Sequence, residues 1–191
     1  MKSVTGALSG FGLEVTKAAL AHGDRVFATL RSPSALADLK TRYSSSQLCV
    51  YQLDVTQEDK IGPAFERAVS DFGRVDVVFN NAGCSVIVEA EGISDARERT
   101  QTIRGDVLEC VARHAGSAIE APPGVVHYAA ANAALESLTE AYAQEVDKAW
   151  NIWFTILEPA LFKTSQAKNN VFEPQASGKI HAAFCALFSA Y

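Results

Sequence analysis

Thr5 to Gly12 reads Thr-Gly-Ala-Leu-Ser-Gly-Phe-Gly, with Gly6, Gly10 and Gly12 set between a short strand signal and an amphipathic helix signal over Leu13 to His22. Glycines this close together let bare backbone approach a ligand, and a helix that starts just behind them favours negative charge at its N-terminus. The pattern points to a dinucleotide-binding loop. Glycine-rich turns also join strands to helices for steric reasons alone, and the loop's own residues leave both readings open.

Strand and helix signals alternate along the rest of the chain, which predicts an α/β fold around one mostly parallel sheet. Arg25 to Leu30 reads as the second strand, Pro33 to about Arg42 as a helix and Gln47 to Leu53 as the third strand. Glu58 to Phe72 follows as a helix with Ile61, Phe65, Ala68 and Val69 on its apolar face. Arg74 to Phe79 then reads as a near-continuous apolar strand, of the kind covered on both faces. No linker or repeat divides the 191 residues, so one domain over 1–191 is expected, large enough for its own core.

Composition narrows the function classes. A net charge of −5 with 17 scattered Lys and Arg does not suit a nucleic-acid surface. No apolar run reaches the ~20 residues of a membrane span. Cys49, Cys84, Cys110 and Cys185 form neither a Cys-x-x-Cys pair nor a Cys/His cluster at metal spacing. A soluble, cytoplasmic protein with reduced thiols and no metal is expected.

Beyond the second strand stands Arg31, where an NAD-binding chain would place an acid for the ribose hydroxyls. A cation there can hold a 2′-phosphate and favour NADP(H), or it can be a solvated strand-end arginine. The third strand closes in Leu53-Asp54-Val55, and the fourth in Asn80-Asn81-Ala82-Gly83.

In this order and spacing, the glycine loop, Leu-Asp-Val and Asn-Asn-Ala-Gly resemble the short-chain dehydrogenase/reductase family, and the likeness resumes from Tyr128 to Thr164. The resemblance implies a Rossmann-type doubly wound parallel sheet with a diphosphate over Gly6, Ser9, Gly10 and Gly12. It further implies an adenine contact at Asp54 and Val55, ribose contacts at Asn81, Ala82 and Gly83, and a nicotinamide-side turn from Pro159 to Thr164 with Ala160 where the family has glycine.

The chain departs from the family in two places. Cys84 to Gly105 is too short for the family's long helix before the next strand signal, Asp106 to Val111, and holds one short helix signal, Ser94 to Arg104. Beyond Thr164 only a polar loop, Lys168 to Gly178, and a short apolar helix, Lys179 to Tyr191, remain. Because the family's usual oligomers bury the missing helix, any homo-oligomer is expected to use an altered surface.

Val125 to Lys148 is the longest helix signal, with Leu135, Leu138 and Tyr142 at helical spacing and Tyr128 in its first turn. The strand signal Asn151 to Leu157 follows. In the family the tyrosine exchanges a proton with the substrate oxygen, and a lysine one turn later lowers its pKa. Here Tyr128-Ala-Ala-Ala-Asn132 puts an uncharged amide at that position. A tyrosine near pKa ~10 is ionised to about one part in a thousand at neutral pH, and reaching pKa 7 takes roughly 4 kcal/mol. Tyr128 therefore reads as a proton donor and a poor base.

The family's serine is absent from Val111 to Gly116. Ser117 lies nearby, displaced, and His114 is the chain's own candidate acid or base. Since the altered positions cluster on the substrate side, the residues favour a non-redox step on a small organic substrate: isomerisation, cyclisation or dehydration, with NADP(H) weakly or structurally bound. NADP(H)-dependent carbonyl reduction or alcohol oxidation is the alternative, and a non-catalytic nucleotide-binding or scaffold protein the third.

Overall fold

The computed structural model describes residues 1–83, 86–87, 126–159 and 171–172. The chain divides into two compact units, Met1–Gly83 and Cys84–Tyr191.

The first unit runs β1 (Lys2–Thr5), α1 (Gly10–Ala21), β2 (Val26–Leu30), a 3₁₀ turn (Pro33–Leu36), α2 (Ala37–Arg42), β3 (Leu48–Gln52), α3 (Glu58–Phe72) and β4 (Val77–Phe79). The four strands form a parallel sheet in the order β3-β2-β1-β4. Side chains alternate along the strands and sort the core into two layers. Val4, Val26, Ala28, Leu30 and Leu48 pack with Ala19 and Leu20 of α1 and Leu36 and Leu39 of the α2 region. Phe27 and Leu53 pack with Ala64, Ala68 and Phe72 of α3. Helices thus cover both faces, the doubly wound arrangement expected from the sequence.

α3 has the predicted bounds because Glu58 and Asp59 suit its N-terminus and Gly73, at φ +85°, takes the turn that ends it. Its buried stripe differs from the expected one. Ala64, Ala68 and Phe72 face the sheet, while Phe65 and Val69 are exposed. The helix presents Ala64, Ala68 and the Phe72 ring to the strands, and Phe65 and Val69 lie outside that contact. Val77 and Val78 of β4 are likewise exposed rather than covered on both faces, and β4 ends the sheet among the described residues.

In the second unit, β5 (Val86–Ile87) pairs in parallel with β6 (Val171–Phe172). The pair was not anticipated: residues 171–172 fall in the expected polar loop, and a two-residue ladder leaves little periodicity to read. α4 spans Val126–Glu145. Leu138 and Tyr142 are exposed, whereas Tyr128, Ala129, Ala131 and Asn132 are buried, so the covered part of the helix is its first two turns. Residues 151–157 form no strand, in contrast to the sequence expectation. Asn151 turns left-handed at φ 52°, and Trp153 is 86% exposed. High β-propensity does not form a strand without a neighbouring ladder to accept its hydrogen bonds. Among the described residues no helix is long and apolar enough to cross a membrane. The expected elements at 94–104, 106–111 and 179–191 lie outside the described residues.

Candidate functional site

β1 ends at Thr5, and the chain turns at once through Gly6, with φ +62°. The end of β4 is fastened to this turn. The Thr5 hydroxyl oxygen accepts the backbone N–H of Asn81 at 2.8 Å and of Ala82 at 3.0 Å. The Asn81 side-chain amide donates back to the carbonyls of Thr5 at 3.0 Å and Gly6 at 3.2 Å. Asn81 is fully buried.

This clasp dictates two of the three glycines. A Cβ on Gly6 would lie 2.8 Å from the Cα of Ala82, and one on Gly12 would lie 2.4 Å from Asn81 Nδ2 and 2.5 Å from the Gly6 carbonyl oxygen. The steric role of glycine, one of the alternatives the sequence left open, is thus met at Gly6 and Gly12. Gly10, at φ +55°, makes the turn into α1. Ser9 is the extended N-cap residue of α1, forms no side-chain capping bond, and is followed by no acidic residue in the first turn. The positive end of the helix is not countered from within that turn, which fits an anion such as a dinucleotide diphosphate.

The next subsite lies where β2 and β3 stop pairing. Arg31 is exposed just beyond Leu30, and its guanidinium has no hydrogen bond or ion pair among the described residues. The Gln52 side-chain amide donates to the Arg31 carbonyl at 3.1 Å. Two residues on, Asp54 accepts from the Thr56 hydroxyl at 2.8 Å and the Thr56 backbone N–H at 3.1 Å. The Thr56 hydroxyl first, then its N–H and the charge of Arg31, hold the Asp54 carboxyl below the usual carboxylate range, against the opposing effect of desolvation. Val55 is half-buried beside it. The first unit thus brings together Gly6, Ser9, Gly10, Gly12, Asn81, Ala82 and Gly83 around one strand-end edge, with Arg31, Asp54 and Val55 at the ends of β2 and β3. These residues fit a dinucleotide.

In the second unit Tyr128 is the third residue of α4 and 6% exposed; Asn132, one turn on, is 0% exposed. Their spacing, extended by half-buried Glu136, puts all three on one helix face. Pro159 is half-buried at the end of the described coil. His114, Ser117 and Thr164 lie outside the described residues.

Two contributors were not singled out in the sequence. Thr5 had a usable signal, a hydroxyl at the last strand position before a glycine turn. Gln52 had a weaker one, its period-two relation to Asp54 at a strand end.

The description "short chain dehydrogenase" fits residues 2–108, more than half of the chain. The chain belongs to the short-chain dehydrogenase family. An oxidoreductase from Botryotinia fuckeliana is 29% identical over 91% of this chain and 70% of its own length. The NADPH-dependent 1-acyldihydroxyacetone phosphate reductase of Saccharomyces cerevisiae is 35% identical over 49% of this chain and 32% of its own. A short-chain dehydrogenase structure from Streptomyces avermitilis superposes with TM-score 0.80 at 29% identity, covering 94% of this chain and 72% of that one. The Rossmann-like fold of the family is thereby established. These relatives bear oxidoreductase, reductase and dehydrogenase names, and none of the names supports the non-redox step that the residues favoured.

Proposed function

We propose that the chain binds NADP(H) at the strand-end edge of its first unit and takes part in reduction of a carbonyl group on a small organic substrate, with Tyr128 as proton donor. The observation that carries the proposal is the loop built by the Thr5–Asn81 clasp. Gly6 and Gly12 are held without Cβ atoms, the first turn of α1 carries no acidic residue, and the Arg31 guanidinium has no hydrogen bond or ion pair among the described residues. The oxidoreductase names of the relatives support the redox class, and the NADPH dependence named for the yeast relative supports the phosphorylated cofactor. When bound, NADPH supplies hydride. The chain's own parts in the reaction are to seat the diphosphate on backbone N–H groups, to meet the 2′-phosphate with Arg31, and to give the substrate oxygen a proton from the Tyr128 hydroxyl.

One observation favours a second reading. Asn132 carries no charge where the family has lysine, and it sits fully buried. Tyr128 then serves better as acid than as base, which suits either reduction or a step without electron transfer.

Titration of NADPH and NADH by fluorescence, with a carbonyl panel and mass analysis of products, tests both. NADPH consumption that Tyr128→Phe abolishes supports reduction. A product of unchanged mass formed without NADPH consumption supports the second reading. No nucleotide binding and no product would refute both and leave the scaffold role. Self-association through a surface unlike the family's usual one is proposed alongside, to be read from the solution mass of the same sample.

A further inference from the structure

The cation at the end of β2 stands on a backbone that another side chain holds. Leu30 and Gln52 are the last Cα partners of the β2–β3 ladder, and the Leu53 N–H donates to the Leu30 carbonyl at 3.0 Å to close it. Arg31 is the first residue past that closure, where strand pairing no longer fixes the chain. The Gln52 amide takes over, donating to the Arg31 carbonyl at 3.1 Å. Its own position is fixed because its backbone belongs to the ladder. Gln52 is exposed, so neither core packing nor burial explains its side-chain contact. Along an extended chain, residues two apart share a side, which puts Gln52 and Asp54 on the same side of the β3 end. An amide there anchors Arg31 without drawing on its charge. A carboxylate at position 52 would lose the donated bond and attract the guanidinium instead.

We propose that Gln52 is a positioning residue for nucleotide choice, in that its bond to the Arg31 carbonyl aims the guanidinium at a ribose 2′-phosphate and so sets the preference for phosphorylated over unphosphorylated dinucleotide. The proposal rests on the reading of Arg31 as the 2′-phosphate ligand and adds a second residue to it. An arginine on an untethered strand end must lose more conformational freedom on meeting an anion. The tether removes part of that loss for the 2′-phosphate alone, because the residues assigned to the diphosphate and adenine, Gly6, Ser9, Gly10, Gly12, Asp54 and Val55, do not include Arg31.

The test uses the full chain and two half-cofactor probes, 2′,5′-ADP and 5′-AMP, measured by calorimetry. The ratio of their affinities is the readout. A residue with only a structural role would move both together. Gln52→Met keeps the stem and removes the donor; it is expected to weaken 2′,5′-ADP about fivefold, the effect of one ordinary hydrogen bond, and to leave 5′-AMP unchanged. Gln52→Glu is expected to weaken 2′,5′-ADP by more than about tenfold, since a like charge then faces the phosphate and competes for Arg31. Because only one exposed hydrogen bond is lost, the thermal midpoints of both variants are expected to fall by no more than about 2–4 °C. Arg31→Ala separates the two layers of the argument. If Arg31→Ala abolishes the preference for 2′,5′-ADP while both Gln52 variants keep it, the role of Gln52 is refuted and that of Arg31 stands. If Arg31→Ala leaves the preference intact, or the wild type has none, the Arg31 reading is refuted, and the role of Gln52 with it.

Discussion

Replacing Gly12 by alanine adds one carbon at a point with no room for it. The new Cβ would lie 2.4 Å from Asn81 Nδ2, 2.5 Å from the Gly6 carbonyl oxygen and 3.0 Å from the Gly6 carbonyl carbon. Neither contact can yield cheaply. The Asn81 amide is held by the carbonyls of Thr5 and Gly6, and the Gly6 carbonyl is backbone in a turn set by φ +62°. Overpacking of this kind costs about 1–3 kcal/mol, and the two side-chain bonds of Asn81 that must lengthen contribute about 1 kcal/mol each. A loss of about 3–5 kcal/mol lowers the thermal midpoint of a chain this size by roughly 6–20 °C. Nucleotide affinity falls with it, because the same displacement moves the N-terminus of α1. The assay is a thermal melt of Gly12→Ala with and without NADPH, beside two controls. Gly23→Ala has nothing within 4 Å of its Cβ but φ +90°, so it costs about 1 kcal/mol of backbone strain and leaves nucleotide affinity alone. Gly62→Ala, inside α3, meets nothing within 4 Å beyond its chain neighbours, but it directly precedes Pro63, whose ring crowds a Cβ in helical conformation. The helical gain of about 0.5–1 kcal/mol is offset there, and nucleotide affinity stays unchanged. Adding Asn81→Ala to Gly12→Ala removes the first clash but not the one with the Gly6 oxygen, so recovery is incomplete. A Gly12→Ala protein that melts and binds like wild type would refute the claim that the Thr5–Asn81 clasp fixes the loop.

Arg31→Glu is expected to weaken NADPH by more than about tenfold and NADH much less, since it replaces attraction for the 2′-phosphate by repulsion; fluorescence titration of both nucleotides reads the difference. Asn132→Lys puts an ammonium at a site with 0% exposure. It is expected to lower the melting point by an amount typical of a buried charge, about 3 kcal/mol, while raising alcohol oxidation at least about tenfold over wild type, and steady-state rates with a melt check both. Stability is expected to decline in acid. The Lys2 ammonium, 2.6 Å away, lowers the Asp24 pKa from 3.8, and the Arg67 guanidinium, at 2.8 Å, lowers that of Asp71. A depressed folded pKa stabilises fully above the unfolded value and is lost as pH falls through the folded one, so the loss falls below about pH 4. Asp71→Asn should flatten that part of the melting-point profile.

The first half of the fold was legible because its signals are local. Glycine spacing, the bounds of α3 and the runs of β2 and β3 follow from backbone freedom, capping and period-two alternation, and the structure places them within a few residues of expectation. The errors share one cause. The buried stripe of α3, the exposure of β4 and the missing strand at 151–157 all depend on what lies opposite, which no local pattern encodes. Trp153 and Phe154 carry strong strand propensity and are exposed in a coil. The residues proposed for the nucleotide were readable as types and spacings for the same reason as the first half, and the structure brings them to the strand ends of one sheet. His114, Ser117 and Thr164 were readable only as types in a sequence, with no described position to test them.

By itself the sequence determined the class of the fold, the family and the glycine loop, because each is a matter of residue type and spacing along the chain. Only the tertiary structure decided that Thr5 and Asn81 lock two strand ends together, that Gly6 and Gly12 are required by that lock, and that Gln52 holds Arg31. Those bonds join residues 21 to 77 positions apart, and such pairs meet only after the parallel sheet has set its strand order and register.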